Sequence, residues 1–213
     1  MDIGMMIVFW YGVLHAFGPD HLTAIANFSI GKKRKEAMAV TLFFALGHGV
    51  ILFIFSKVLQ HYVVSAELMA YGDLIASSLI VCMGGYILYM VYADKVHLKR
   101  HTHAGDEHIH IWLGDQHNHE NNKSRFSAYT VGMLMGVGGV RNMLISLGMF
   151  DTERVDLNII FVFVIGVSVT FGIFGIIVSF INKSMLMSQK HLRRIFMTLG
   201  TVSVLVGTNT LIG

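Results

Sequence analysis

The sequence predicts an all-α membrane protein, six transmembrane helices arranged as two inverted three-helix repeats, and three observations lead there. Hydrophobic residues make up 54% of the 213 and charged ones 14%, with a mean hydropathy of +0.62, a balance foreign to a water-soluble domain. Lys, Arg, Asp and Glu cut the chain into apolar stretches of about 20 residues, the length that a hydrocarbon core of about 30 Å requires of a helix. The basic residues gather in alternate connections between those stretches. A soluble enzyme is thereby excluded. A disulfide scaffold is excluded too, since Cys82 is the one cysteine. The net charge of +3 sits in short clusters beside apolar spans and forms no stripe, so nucleic acid is not expected as a partner.

The predicted spans are 3–29, 37–58, 68–93, 126–149, 157–181 and 193–213. The first is not read as a cleavable signal, because its first charge is Asp2 and no basic region precedes the apolar run. Lys32, Lys33, Arg34 and Lys35 fill the first connection. Lys95, Lys99, Arg100, Lys123 and Arg125 lie in the third, and Lys183, Lys190, Arg193 and Arg194 in or beside the fifth. The opposite face has Lys57 and Arg154, while Arg141 falls within the fourth span. Under the positive-inside rule, connections one, three and five are cytoplasmic and both termini lie outside.

Residues 1–93 form the first repeat, 94–125 a cytoplasmic connection and 126–213 the second repeat. Gly12-Val-Leu-His-Ala-Phe-Gly-Pro-Asp-His-Leu-Thr-Ala-Ile25 aligns without gaps, at an offset of 120, with Gly132-Met-Leu-Met-Gly-Val-Gly-Gly-Val-Arg-Asn-Met-Leu-Ile145. With three spans per half, the second copy crosses the bilayer in the opposite sense. Inverted repeats with Gly- or Pro-interrupted helices characterise secondary transporters, whose substrate site lies near the midplane.

The first span carries His15, Asp20 and His21, and the second His48. At 1.5 Å per residue, His15 and His48 both lie roughly 17 Å deep. An ionisable group there costs about 2.5–3.5 kcal/mol, so a cluster calls for a partner or a function. In an unbroken helix Asp20 and His21 would stand 140° and 240° around the axis from His15, too far apart to grip one ion. Pro19 lacks the N–H that would bond the His15 carbonyl, and Gly18 precedes it, so the helix is expected to break and to offer freed carbonyls to a cation. Two imidazoles, a carboxylate and carbonyls suit a borderline divalent transition metal, with His48 completing the set. The plainer alternative is neutral histidines hydrogen-bonded between helices, with Asp20 stabilising the first turn of the second half-helix. Arg141, in the place of His21 in the second repeat, would pair with Asp20, repel cations or snorkel.

The connection 94–125 holds seven of the twelve histidines. Gly105-Asp-Glu-His-Ile-His110 recurs as Gly114-Asp-Gln-His-Asn-His119. In an extended segment the two histidines of each H-x-H point the same way, a bidentate clip beside a carboxylate. His101, His103, His108, His110, His117 and His119 are therefore candidate metal-capturing residues, against the alternative of an idle polar linker.

His15-Ala-Phe-Gly-Pro-Asp20-His21 is an instance of H-x4-D-H, and Leu46-Gly47-His48-Gly49 resembles L-G-H-S. Over residues 10–52 the chain thus resembles the nickel/cobalt transporter (NiCoT) family. The resemblance implies metal-selective roles for His15, Asp20, His21 and His48, with Ni2+ or Co2+ as cargo and no permanently bound cofactor. Typical uptake members have eight spans and an acidic L-G-F-D-T-A-T-E motif, which would fall where this chain has Val140. The compact layout is similar to the efflux-associated branch with a His-rich loop. Export through a secondary transporter, not an enzyme, is the expected function. An uptake permease and a membrane electron carrier with His15 and His48 as axial ligands of a haem are the alternatives. No H-E-x-x-H points to a metalloprotease and no Walker A motif to ATP use. Divalent metal ions and the lipid bilayer are the expected partners, a second copy of the chain and a cytosolic metal-delivery protein being compatible with them.

Overall fold

In a bilayer every backbone N–H and C=O must find its partner within the protein, so an apolar chain of this kind folds as helices long enough to cross. A computed structural model describes residues 3–30, 32–59, 65–103, 106–113, 121–146, 157–185 and 188–212; within these, the side chains at 59, 66, 68, 69, 99–103, 106–113, 121–123, 141–146 and 183–185 are not described. Seven helices are present among the described residues: α1 (Ile3–Ala16), α2 (Pro19–Ser29), α3 (Arg34–Leu59), α4 (Ala66–Tyr92), α5 (Asn121–Ser146), α6 (Leu157–Met185) and α7 (Gln189–Ile212). Four stretches, Arg34–Val58, Ala70–Tyr92, Leu157–Asn182 and Gln189–Ile212, are long and apolar enough to cross a membrane, and the apolar α1 is shorter. The chain is a multi-pass helical membrane protein. Trp10, Leu42, Phe53, Tyr86, Phe161 and Phe180 all lie on its outer surface, where lipid tails solvate them at no cost.

The first predicted span is two helices. Pro19 takes the first turn of α2, where its missing N–H costs nothing, and Gly18 precedes it with φ −49° and ψ 129°. The carbonyl of His15, expected to be free for a cation, instead accepts the Gly18 N–H at 3.0 Å in a tight final turn. The break thus turns the chain without leaving that carbonyl open.

Close approaches tie the helices together. A side chain on Gly12 of α1 would collide with the Phe163 carbonyl of α6, and one on Gly132 of α5 with the Phe44 carbonyl of α3. Gly47 of α3 lies as tightly on the Tyr129 carbonyl, and Gly166 of α6 on the Phe9 carbonyl. Small residues that admit a neighbouring backbone are how helices pack where lipid supplies no hydrophobic drive. Around these crossings Phe44, Phe163, Phe171, Leu52, Met135 and Ile160 form the main core.

At the end of the bundle rich in basic residues, polar contacts lock the connections. Asn182 of α6 donates to the carbonyls of Ser29 (2.7 Å) and Lys32 (3.0 Å), capping α2 from outside. Arg125 holds Glu36 with two hydrogen bonds of 3.2 and 3.0 Å, joining α5 to α3. Burial pushes the Lys32 ammonium below its ordinary range, and Glu36 opposes the shift.

The helical body also carries strands, which an all-α expectation missed. α4 ends in a Schellman motif: Lys95 N–H reaches the Met90 carbonyl (2.9 Å) and Asp94 N–H that of Val91 (3.3 Å), with Asp94 in the left-handed region at φ 57°. The turn delivers β1 (Val96–His103), which pairs antiparallel with β2 (Asp106–Leu113), His101 opposite His108 and His103 opposite Asp106. Val96 is buried with Ile87, Met90, Val91, Leu192 and Phe196. Gln189 donates to the Val96 carbonyl, and Arg193 holds Asp94 and the Val91 carbonyl, so the ribbon is rooted on α4 and α7.

Candidate metal centre

Three imidazoles meet in the core. His15 comes from the last turn of α1, His21 from the first turn of α2 and His48 from the middle of α3. Ring centroids lie 4.9 Å apart for His15 and His21, 4.8 Å for His21 and His48, and 5.7 Å for His15 and His48. One nitrogen from each ring falls in a set spanning no more than 4.8 Å. The break before Pro19 makes this geometry, since it cancels the rotation that an unbroken helix would put between His15 and His21.

Asp20 does not take the position of a fourth donor beside them. Its Oδ1 accepts a hydrogen bond of 2.8 Å from His21 Nδ1, which fixes the tautomer and turns His21 Nε2 toward the other rings. Gly18 makes room for the pair: a Cβ there would stand 2.5 Å from Asp20 Oδ1 and 3.0 Å from His21 Nδ1.

The nitrogens that converge are unsatisfied. His15 Nε2 and His21 Nε2 are buried with no hydrogen-bond partner among the described residues, and the nitrogens of His48 have at most a loose contact with the backbone of Gly132. His48 is 0% exposed and His21 4%. A buried polar group without a partner costs about 1–3 kcal/mol, and these nitrogens lack the interhelical hydrogen bonds that neutral core histidines would make. Their surroundings make the cost worse. Phe163 lies 5.3 Å from His15, and Phe171 5.8 Å from His21 and 5.7 Å from His48, while Phe44 stacks on His48 at 6.3 Å.

Such a set offers three imidazole nitrogens in apolar surroundings, the chemistry that suits nickel, cobalt, zinc or copper. Nitrogens bound at about 2.1 Å to one ion stand about 3.4 Å apart at tetrahedral angles, so the rings would draw in slightly around it. The geometry speaks against a haem ligated by His15 and His48. A macrocycle held axially by His15 and His48 would need the space beside them in which His21 stands, 4.9 and 4.8 Å from the two rings.

The other candidates are dispersed. Val140, standing where the uptake motif has an aspartate, is buried at 1% exposure and contributes no donor. The side chain of Arg141 lies outside the described residues. His101, His103, His108 and His110 lie on the ribbon with only their backbone described, and His117 and His119 fall outside the described residues. Sequence reasoning missed the neighbouring phenylalanines and Gly139, which stands beside His15 and His48 on α5; the offset of 120 that matches Gly139 to Pro19 was a clue to the latter.

No curated protein and no solved structure matches the chain. Over residues 3–212 the chain does match the model of a family described as High-affinity nickel-transport protein, in agreement with the motifs around His15 and His48. Its members are transporters, not enzymes, and nickel is their cargo. A helical membrane protein with convergent imidazoles in its core, the chain belongs to the NicO nickel-transport family.

Proposed function

We propose that the chain is a six-span secondary transporter, built as two inverted three-helix repeats, that exports Ni2+ or Co2+ through a site made by His15, His21 and His48 with Asp20 behind His21. The observation that carries the reading is the convergence, within 4.8 Å, of buried imidazole nitrogens that have no other partner. Donors held in place and left unpaired recover their desolvation cost when a borderline transition-metal dication arrives. Asp20 acts as the orienting carboxylate, a role usually worth about 10–100-fold in metal affinity.

The crossings of the glycines support the repeat. Moving Gly12 and Phe9 forward by 120 gives Gly132 and Tyr129, and moving Phe163 and Gly166 back by 119 gives Phe44 and Gly47. The contact of Gly12 on Phe163 thus has its counterpart in Gly132 on Phe44, and that of Gly166 on Phe9 in Gly47 on Tyr129. A site at the junction of two such halves can open alternately to either side. The polar end of the bundle, where the ribbon is rooted, carries most of the basic residues and is the cytoplasmic end under the positive-inside rule. A connection rich in histidine suits a donor that collects metal before export, and because protons compete with metal for imidazole, capture should weaken on acidification.

The test is transport in proteoliposomes together with metal accumulation in cells. His15→Ala, His21→Ala and His48→Ala should abolish nickel flux, Asp20→Asn should weaken it about 10–100-fold, and deletion of 101–119 should weaken it only slightly. Full activity in any of the three histidine variants removes the site. Lower cellular nickel on expression supports export; higher nickel assigns uptake. A pH dye inside the vesicles tests proton exchange, which metal flux without proton movement excludes.

A further inference from the structure

The pairing of β1 with β2 decides which residues of the connection share a face. Successive residues of a strand alternate between its two faces, and directly opposed residues of a pair stand on the same face. With Lys99 opposite His110, His101 opposite His108 and His103 opposite Asp106, the odd positions of β1 share a face with the even positions of β2. His97, His101, His103, His108 and His110 all fall on that face, together with Asp106. The apolar residues Val96, Leu98, Ile109, Ile111 and Leu113 fall on the other. At the root of the ribbon, Val96 and Leu98 pack with Met90, Leu192 and Phe196 of α4 and α7, which sets the apolar face on the helical body and the histidine face away from it. Composition does not dictate this arrangement, because slipping the register by one residue would divide the histidines between the faces.

We infer that His101, His103 and His108 with Asp106 form a second metal site, in which one divalent transition-metal ion bridges the two strands. The inference deepens the reading of the connection as a metal collector and is independent of the core histidines. His101 and His108 make one row, His103 and Asp106 the next, and the rows are diagonal neighbours. Opposed residues have Cβ atoms about 4.5–5.5 Å apart and diagonal ones no more than about 7–8 Å, a spacing that imidazole and carboxylate arms can close around one ion. Three imidazoles and a carboxylate are donors suited to nickel, cobalt or zinc. Charge favours this end of the ribbon: nearer the root Lys99 opposes His110 and repels a dication, whereas Asp106 opposes His103 and attracts one. Two strands by themselves are marginally stable in water, so an ion held only by the paired form also holds the strands together. Independent H-x-H clips would do neither, since each binds whether or not the strands pair.

Full-length protein without an affinity tag would be digested with trypsin over a series of Ni2+ concentrations, following cleavage after Lys99 and Arg100 within β1. Hydrolysis of a small peptide controls for inhibition of trypsin itself. If only the opened ribbon is cut, Ni2+ at ten times the concentration that halves the rate should slow cleavage about tenfold. The discriminating variant exchanges two neighbours, His108→Ile with Ile109→His, which keeps every histidine of the connection but moves one to the other face. Its cleavage should stay at the metal-free rate, while His48→Ala should be protected as the parent is. Equal protection of the exchanged variant means independent clips and overturns the inference. Parent cleavage that Ni2+ leaves unchanged overturns it without any variant, and loss of protection in His48→Ala does so by tracing the effect to the core. Should the exchange prevent folding, His101→Ala takes its place with the same expected loss. A His48→Ala protein that keeps ribbon protection and still transports nickel fully removes the core site and leaves this one standing.

Discussion

Gly18 illustrates how much one residue settles here. Its φ of −49° is open to any amino acid, so no backbone strain reserves the position for glycine. What reserves it is the Asp20–His21 pair, whose oxygen and nitrogen would lie 2.5 and 3.0 Å from an added Cβ. Gly18→Ala should push Asp20 off His21 Nδ1, free that ring to rotate and lower nickel affinity about 10–100-fold, as loss of an outer-shell partner does. Nickel titration of the purified variant checks this; affinity equal to the parent's would mean that the hydrogen bond does not orient the ring. The same carboxylate was visible in the sequence as one of four donors, because spacing alone cannot tell a donor that faces the ion from one that stands behind it.

At the scale of elements, the ribbon shows how an anchored strand differs from a tether. Val96 is 1% exposed at the root of β1, packed between the end of α4 and the start of α7. Val96→Ala should cost about 2 kcal/mol through the cavity it leaves and should speed protease cleavage between 96 and 113 before the helices melt. Cleavage at the parent's rate would show that the ribbon does not depend on this root. The strands were hidden in the sequence. Apolar and polar residues alternate only briefly, at Val96-His97-Leu98 and His108-Ile109-His110-Ile111, too short a signal beside the charged run between them, and pairing between β1 and β2 is set by register, which composition does not carry.

For the whole molecule, the matched crossings make a prediction that neither half makes alone. Gly12→Ala drives a methyl group into the Phe163 carbonyl, and Gly132→Ala drives one into the Phe44 carbonyl. Each should destabilise the protein by about 1–3 kcal/mol, the usual cost of overpacking, and the two should agree within about 1 kcal/mol. Thermal melting in detergent, followed by tryptophan fluorescence, measures both. A large loss in one with none in the other would set the two halves apart.

Which segments cross the bilayer, and where the first of them breaks, is written locally. Lipid demands length and apolarity of each helix separately, and Pro19 withdraws one hydrogen bond whatever surrounds it. Predicted and observed limits accordingly agree within a few residues for α3, α4, α6 and α7, and the break falls where Gly18-Pro19 places it. The centre itself was legible only as a suspicion: four ionisable residues at one depth. That His15, His21 and His48 meet while Asp20 pairs with His21, that Gly139 stands beside two of the rings and that Phe44, Phe163 and Phe171 pack on them came only with the tertiary structure. These are relations between helices far apart in the chain, and they depend on the angle of the break and on which backbones approach closely enough to touch. Neither quantity is a property of any single stretch of sequence.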